Sequence, residues 1–135
     1  MSTLVTATVK SNSSSPVTFQ NSSGTEIGTM CRAWVNFNGT GTVAIRAQFN
    51  VSSITDNGTG DYTVNFTTAM VDANYAVSGG ARYGDGGVSY TMRVVSISSI
   101  STLASAMQTS SVRLGIAYSN NANDDIQVIT VAIFR

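Results

Sequence analysis

Apolar and polar side chains alternate along residues 33–70 of this chain, AWVNFNGTGTVAIRAQFNVSSITDNGTGDYTVNFTTAM. Alternation with a period of two places every second side chain on the same side of an extended strand. Three runs have this pattern, and their apolar members are Ala33, Val35 and Phe37; Val43, Ile45, Ala47, Phe49 and Val51; and Tyr62, Val64 and Phe66. The segment therefore predicts three β-strands that each bury one face.

Turn-forming residues separate these runs. The segments 38–41 (NGTG) and 56–60 (DNGTG) contain the Asn and Gly residues that adopt the positive-φ conformations of tight turns. Similar runs recur to the C-terminus, and strands are predicted at 31–37, 42–51, 60–67, 73–79, 87–95, 111–119 and 126–134. Short strands at this spacing predict an all-β domain over residues 30–135, an antiparallel β-sandwich or jelly roll. Residues 100–108 are expected to form a long connection with at most one helical turn.

The first 29 residues differ in composition from the rest. They contain the polar run 11–15 (SNSSS) and few large apolar side chains, so they cannot bury enough surface to fold alone. Extended pieces are expected at 4–9 and 17–20. We interpret residues 1–29 as an extended attachment arm that becomes ordered against neighbouring chains or a larger assembly. A disordered N-terminal tail is the alternative.

The composition disfavours several classes of partner. Charged residues are 10% of the chain and the net charge is zero, whereas a typical domain has about 25% charged residues. With no basic excess to neutralise phosphates, no nucleic-acid partner is expected. No apolar run reaches the length of a membrane span, so no membrane insertion is expected. No secretory signal is recognisable, and we expect synthesis in the cytoplasm.

The sequence offers little for catalysis or metal binding. It contains no histidine, and its single cysteine, Cys31, has the alternation of a small buried side chain in a strand. The carboxylates fall mostly in turns, and nothing pairs them as a glycosidase requires. The spacing of Asp56 and Asp61 fits a hairpin turn better than a calcium loop. We therefore expect a non-enzymatic protein without metal or cofactor.

The predicted strand 126–134, IQVITVAIF, is apolar on both faces. A two-sheet sandwich covers only one face of each strand, so another surface must cover the second. Self-association is the preferred explanation. A central strand of a single chain, capped by the N-terminal arm, is the alternative. The interface candidates on this strand are Ile129, Val131 and Ile133. Trp34 is a further candidate because its side chain points away from Ala33 and Val35. Packing of Trp34 under the arm is the other interpretation.

Two polar loops are the candidate ligand-binding surfaces. The segment 79–90 combines glycines with a cation, an aromatic ring and a carboxylate, contributed by Arg82, Tyr83 and Asp85. Such groups stack on sugar rings and bind hydroxyl groups, and loops on a rigid sandwich often carry binding sites. The second loop, 120–125, contributes Asn120, Asn121 and Asp124. A hairpin whose aromatic side chains only pack is the alternative for the first loop.

Two stretches carry a family resemblance. AWVNFNGTGTVAIR (33–46) and SSITDNGTGDYTVNFT (52–67), with their turn spacing, resemble a module of tailed-bacteriophage virion proteins commonly labelled tail fibre proteins. The opening, STLVTATVK and PVTFQNSSGTEIG, looks like the extended segments that precede this module in similar proteins. Together these stretches cover roughly half of the chain.

The resemblance implies a non-enzymatic structural protein of the virion, displayed on the phage particle as a homotrimer. It also implies contact with the host surface, where a glycan is the expected ligand, and contact with other virion proteins through residues 1–29. The chain lacks the long shaft of an ordinary tail fibre. A capsid or tail decoration protein anchored by its arm is therefore the alternative, and a carbohydrate-active enzyme is a third hypothesis.

Overall fold

The computed structural model describes residues 8–10, 17–82, 93–97, 103–118 and 123–135. The chain divides into two compact units, Met1–Met30 and Cys31–Arg135. Each unit is described by itself.

The N-terminal unit contains a small hairpin. Strands β1 (Phe19–Gln20) and β2 (Glu26–Gly28) pair in antiparallel fashion, and Gly24 in the turn has φ +80°. The side-chain Oδ1 of Asn21 closes the turn, accepting hydrogen bonds from the amides of Ser23 (3.0 Å) and Thr25 (2.9 Å). Both strands are exposed along their whole length. A hairpin this short has little stability of its own because it buries almost no apolar surface.

The C-terminal unit is a β-sandwich of two four-stranded antiparallel sheets, which confirms the predicted all-β fold class. The front sheet has the strand order β4-β3-β10-β7 and the back sheet the order β5-β6-β9-β8. In chain order the elements are β3 (Cys31–Asn38), β4 (Ala44–Phe49), β5 (Val51–Gly58), β6 (Asp61–Phe66), β7 (Ala76–Arg82), β8 (Arg93–Ile97), the four-residue helix α1 (Leu103–Ala106), β9 (Ser111–Tyr118) and β10 (Val128–Phe134).

The core lies between the two sheets and is built from the alternating residues. Phe37 of the front sheet and Tyr62 of the back sheet meet edge to face, with ring centroids 5.3 Å apart. Burying each large apolar side chain contributes about 1.5–3 kcal/mol. The inward positions predicted for β3 and β6 are confirmed, and the buried residues there are Ala33, Val35, Phe37, Tyr62, Val64 and Phe66. Cys31 is half-buried, less covered than its alternation predicts.

The predicted strand 42–51 is in fact interrupted at Asn50. Asn50 has φ +55°, and the chain passes there from β4 in the front sheet to β5 in the back sheet. Its side-chain Nδ2 donates to the carbonyls of Arg32 and Thr68, both at 3.1 Å, and its Oδ1 accepts from the Thr68 amide at 2.7 Å. Asparagine tolerates this left-handed conformation better than most residues do. The sequence prediction missed β5 because alternation through Val51 suggested one continuous strand.

A β-bulge in β4 reverses the predicted orientation of its second half. Phe37 pairs with Ile45 but Asn36 pairs with Ala47, so Arg46 is the additional residue. After a bulge the side chains that follow exchange faces. Ala47 and Phe49 were predicted to face the core, and the structure instead exposes both on the outer face of the front sheet.

The proposed interface residues on β10 require a correction. β10 is a central strand between β3 and β7, and Ile129, Val131 and Ile133 face the core with 0%, 3% and 0% of their surface exposed. The back sheet of the same chain already covers them, so they are not available to a partner molecule. The other face of β10 carries Val128, Ala132 and Phe134, which are all half-buried.

The two sheets approach each other closely at Gly79 on the inner face of β7. A Cβ atom at this position would lie 2.7 Å from Cγ1 of Val95 in β8, closer than carbon atoms can pack. At the neighbouring Gly80, which faces outward, a Cβ would meet only Oγ1 of Thr130, at 3.4 Å. The absence of a side chain therefore matters at the first glycine and much less at the second.

These two glycines give a matched pair of variants. We expect Gly79→Ala to lower the free energy of unfolding by about 1–3 kcal/mol because the added methyl group forces the sheets apart. We expect Gly80→Ala to change it by less than about 0.5 kcal/mol, since loss of chain entropy in the unfolded state offsets the modest crowding. Urea denaturation measures both. Equal effects of the two variants would contradict the inward and outward assignment.

Candidate functional site

Two of the predicted loop residues, Arg82 and Asp124, lie on the same side of the sandwich. Arg82, the last residue of β7, pairs with Val128, the first residue of β10. The amide of Asp124, just before β10, donates to the carbonyl of Ile116 in β9 (3.0 Å). We call this side the loop end. Tyr83, Asp85, Asn120 and Asn121 lie outside the described residues.

The opposite side of the sandwich, which we call the base, contains the first residue of the domain. Cys31 begins β3 there and is the partner of Phe134 at the end of β10. A bidentate ion pair joins Arg135 to Asp72, with nitrogen–oxygen distances of 2.9 and 2.6 Å. This ion pair lowers the pKa of Asp72 to about 2. The peptide bond to the N-terminal unit is thus at the end opposite to the loops.

A buried hydrogen-bond network fixes the loop end. The Tyr62 hydroxyl lies 2.6 Å from Oδ1 of Asp125 and 2.8 Å from the carbonyl oxygen of Gly39, which are both acceptors. The Gly60 amide donates to the same Oδ1 at 2.8 Å. Burial, followed by the hydrogen bond to the Asp125 carboxylate, raises the pKa of Tyr62 well above its usual value. The hydroxyl therefore stays protonated and links Gly39 to Asp125, which in turn holds the Gly60 amide.

A second buried polar contact lies within the back sheet. The guanidinium of Arg113 donates to both carboxylate oxygens of Asp61, from Nε at 2.8 Å and from Nη2 at 2.6 Å. Asp61, with 4% of its surface exposed, is the one charged residue that is buried among the described residues. The hydrogen bonds from Arg113 outweigh desolvation and hold the pKa of Asp61 below its ordinary value of 3.8. Bidentate pairing of this kind is the strong form of an ion pair.

Three of the carboxylates take part in contacts that stabilise the fold. Asp61 and Asp72 are held by arginines, and Asp125 accepts hydrogen bonds from Tyr62 and Gly60. Within the described part of the chain, no group of three or more potential metal-ligating side chains comes together.

An open groove lies on the outer face of the front sheet. Its volume is about 400 Å³, within the range of about 300–1,000 Å³ found for small-molecule sites. Trp34 forms one wall and is 39% exposed, and it faces outward as predicted from the sequence. The small residues of β7 leave the groove open. The side chains lining it, together with Gly80, are Trp34, Asn36, Ser78, Thr130 and Ala132.

Sequence analysis did not find this groove. Cross-strand pairing places Phe49, Trp34, Ala132 and Ser78 in one row and Ala47, Asn36, Thr130 and Gly80 in the next. The alternation at Trp34 indicated its direction, but the register that brings Ser78 and Thr130 beside it depends on long-range pairing. The available signal was the small-residue run 78–81 (SGGA), which begins at the end of the predicted strand 73–79.

Comparison of the chain with models of protein families, with curated proteins and with solved structures found no match. Among the residues described here, no helix is long and apolar enough to cross a membrane.

The pKa of Asp61 predicts how stability depends on pH. Because the folded-state pKa lies below 3.8, the Asp61 carboxylate contributes its full stabilisation above that pH and loses it as the pH falls through the folded-state pKa. We expect Asp61→Asn to lower the free energy of unfolding by about 1–3 kcal/mol at neutral pH. Urea unfolding between about pH 2 and pH 7 should give a shallower acid slope for this variant. A slope equal to that of the wild type would contradict the assignment.

Tyr62 and Tyr75, the buried tyrosines among the residues with described burial, provide a second matched pair of variants. We expect Tyr62→Phe to cost about 1–3 kcal/mol and to speed hydrogen exchange at the Gly39 and Gly60 amides. Tyr75 contacts the carbonyls of Gln108 (3.0 Å) and Ser111 (2.9 Å) at the base. We therefore expect Tyr75→Phe to speed exchange at Met70, whose amide donates to Thr109, and to leave the loop-end amides unchanged. Exchange that rises uniformly in both variants would argue against two separate networks.

Proposed function

We propose that this protein is a non-enzymatic structural component of a tailed-bacteriophage virion, a tail fibre-type module that contacts the host surface with its loop end. The observation that carries the proposal is the opposition of the two ends of the sandwich. The chain joins the N-terminal unit at Cys31 on the base, and the strand ends flanking Arg82 and Asp124 lie at the other end. A displayed recognition module needs this separation between attachment and contact. The resemblance of residues 33–46 and 52–67 to tail fibre proteins supports the same proposal.

The sandwich suits a displayed role because hydrogen bonds hold part of its loop end in place. The Tyr62 network joins Gly39, Gly60 and Asp125 at hydrogen-bond distances of 2.6–2.8 Å. Residues held in this way lose little conformational entropy when a ligand binds them. The ligand we propose is a glycan of the host surface, and the protein is proposed to be located on the virion.

Assembly is proposed to use the N-terminal unit. Phe19, Ile27 and Met30 expose 48%, 67% and 50% of their surface. We propose that these side chains bind another protein, since so short a hairpin cannot bury them itself. This observation also favours the alternative function, a capsid or tail decoration protein anchored by residues 1–29. A homotrimer remains part of the proposal, but its support is the resemblance, because Ile129, Val131 and Ile133 are buried within one chain.

Competition for adsorption tests the proposed function. We expect the purified protein to slow adsorption of the phage that encodes it, because free modules occupy the host receptor. A double variant at the loop end, Asn123→Ala with Asp124→Ala, should lose this competition. Asp72→Asn at the base is the control and should retain it.

The alternative predicts a different result. A decoration protein would not compete for adsorption, and its copy number per particle, measured by quantitative mass spectrometry, would follow the capsid or tail lattice. Absence of the protein from purified virions would overturn both versions of the proposal.

A further inference from the structure

The charged residues in the strands of the front sheet are all positive. Its four strands contain three arginines, Arg32, Arg46 and Arg82, and neither an aspartate nor a glutamate. In a chain with zero net charge, this concentrates positive charge on one sheet. Positive charge of this kind attracts anionic groups and disfavours cationic ones.

Two of these arginines flank the outer groove. Arg46, at the bulge of the edge strand β4, reaches across the sheet and donates from Nη1 to Oδ1 of Asn36 in the groove wall, at a long 3.4 Å. Arg82 continues the outward-facing row of β7 that contains Ser78 and Gly80, because Gly79 and Ala81 face the core. The cations thus lie beside the groove, toward the loop end of the sheet.

The lining of the groove combines an aromatic wall with short polar groups. The indole of Trp34 offers a flat apolar surface, and an aromatic ring of this kind stacks against the apolar side of a ring-shaped ligand. Asn36, Ser78 and Thr130 add amide and hydroxyl groups that both donate and accept hydrogen bonds. Ala132 and Gly80 are small, so they leave space at the bottom of the groove. A ring with one apolar side and several hydroxyl groups matches this lining.

We propose that the outer groove binds a saccharide that carries an anionic substituent, a carboxylate or a phosphate. The sugar ring packs against Trp34, its hydroxyl groups bind Asn36, Ser78 and Thr130, and the anionic group binds Arg46. The site lies on the face of the sheet and not in the loops, so it goes beyond the proposed function and does not depend on the virion assignment.

Charge also argues against a second copy of the chain as the occupant. Two front sheets packed face to face would place the arginines of both molecules in one interface, and the strands of this sheet contain neither an aspartate nor a glutamate. Like charges placed together at an interface are unfavourable. The face therefore suits an anionic ligand better than its own counterpart.

Fluorescence offers a direct test because Trp34 is the only tryptophan in the chain. We expect its emission to change on titration of the full-length protein with tetragalacturonate, a carboxylate sugar, or with a phosphomannan oligosaccharide, a phosphate sugar. Maltotetraose, which is neutral, should bind at least about tenfold more weakly, since it lacks the charged hydrogen bond. Raising the salt from about 20 mM to about 300 mM should weaken binding of the acidic probe severalfold.

Three variants locate the site. Arg46→Gln should weaken binding of the acidic probe roughly tenfold and leave the weak binding of maltotetraose unchanged. Ser78→Leu should fill the groove and abolish the emission change, with cooperative unfolding retained as evidence of folding. Arg135→Gln removes the same charge at the base and should leave binding unchanged.

Several results would overturn the inference. These are no response to either acidic probe, equal affinity for the neutral probe, or equal losses in Arg46→Gln and Arg135→Gln. A Trp34 emission that changes with protein concentration alone, together with a dimer or trimer mass that Ser78→Leu abolishes, would assign the groove to self-association instead. Because adsorption is not measured in this experiment, its failure is separate from failure of the proposed function.

Discussion

Close packing of two inner sheet faces is the constraint on which the rest of the molecule depends. Phe37 and Tyr62 meet across the core, and each fixes the direction of its whole strand because strand side chains alternate. Once Ala33, Val35 and Phe37 face inward, Trp34 and Asn36 must face outward. The outer groove is therefore a by-product of core packing: the same register that buries one set of residues aligns the other across β3, β10 and β7.

The sequence predicted the parts of this fold that depend on local pattern. Strands β3 and β6 and their inward residues follow from alternation, and the turn between β5 and β6 follows from its Asn and Gly residues. The errors occur where long-range pairing decides. A single left-handed residue, Asn50, divides one predicted strand between two sheets, and the bulge at Arg46 turns Phe49 outward. Neither event changes the local composition, so period-two patterning could not reveal them.

The candidate sites show the same division. Arg82 and Asp124 were selected for chemistry and lie at one end of the sandwich, as loops between antiparallel strands often do. The groove beside Trp34 could not be anticipated, because Ser78 and Thr130 come from segments far apart in the sequence. The apolar second face of β10 was interpreted as a contact between subunits. In the structure its isoleucines complete the core, and the apolar side chains on the outer side are the half-buried Val128, Ala132 and Phe134.

The corner at Asn50 connects the two sheets directly along one side of the sandwich, which we call the spine. On this side one residue joins β4 to β5, so the two sheets are covalently hinged there. On the other side β7 and β8 are joined through residues 83–92, a much longer stretch of chain. Insertions or deletions in that stretch can be absorbed without moving the spine. Sequence drift can therefore remodel the β7–β8 side of the molecule while the connection between the two sheets at Asn50 stays the same.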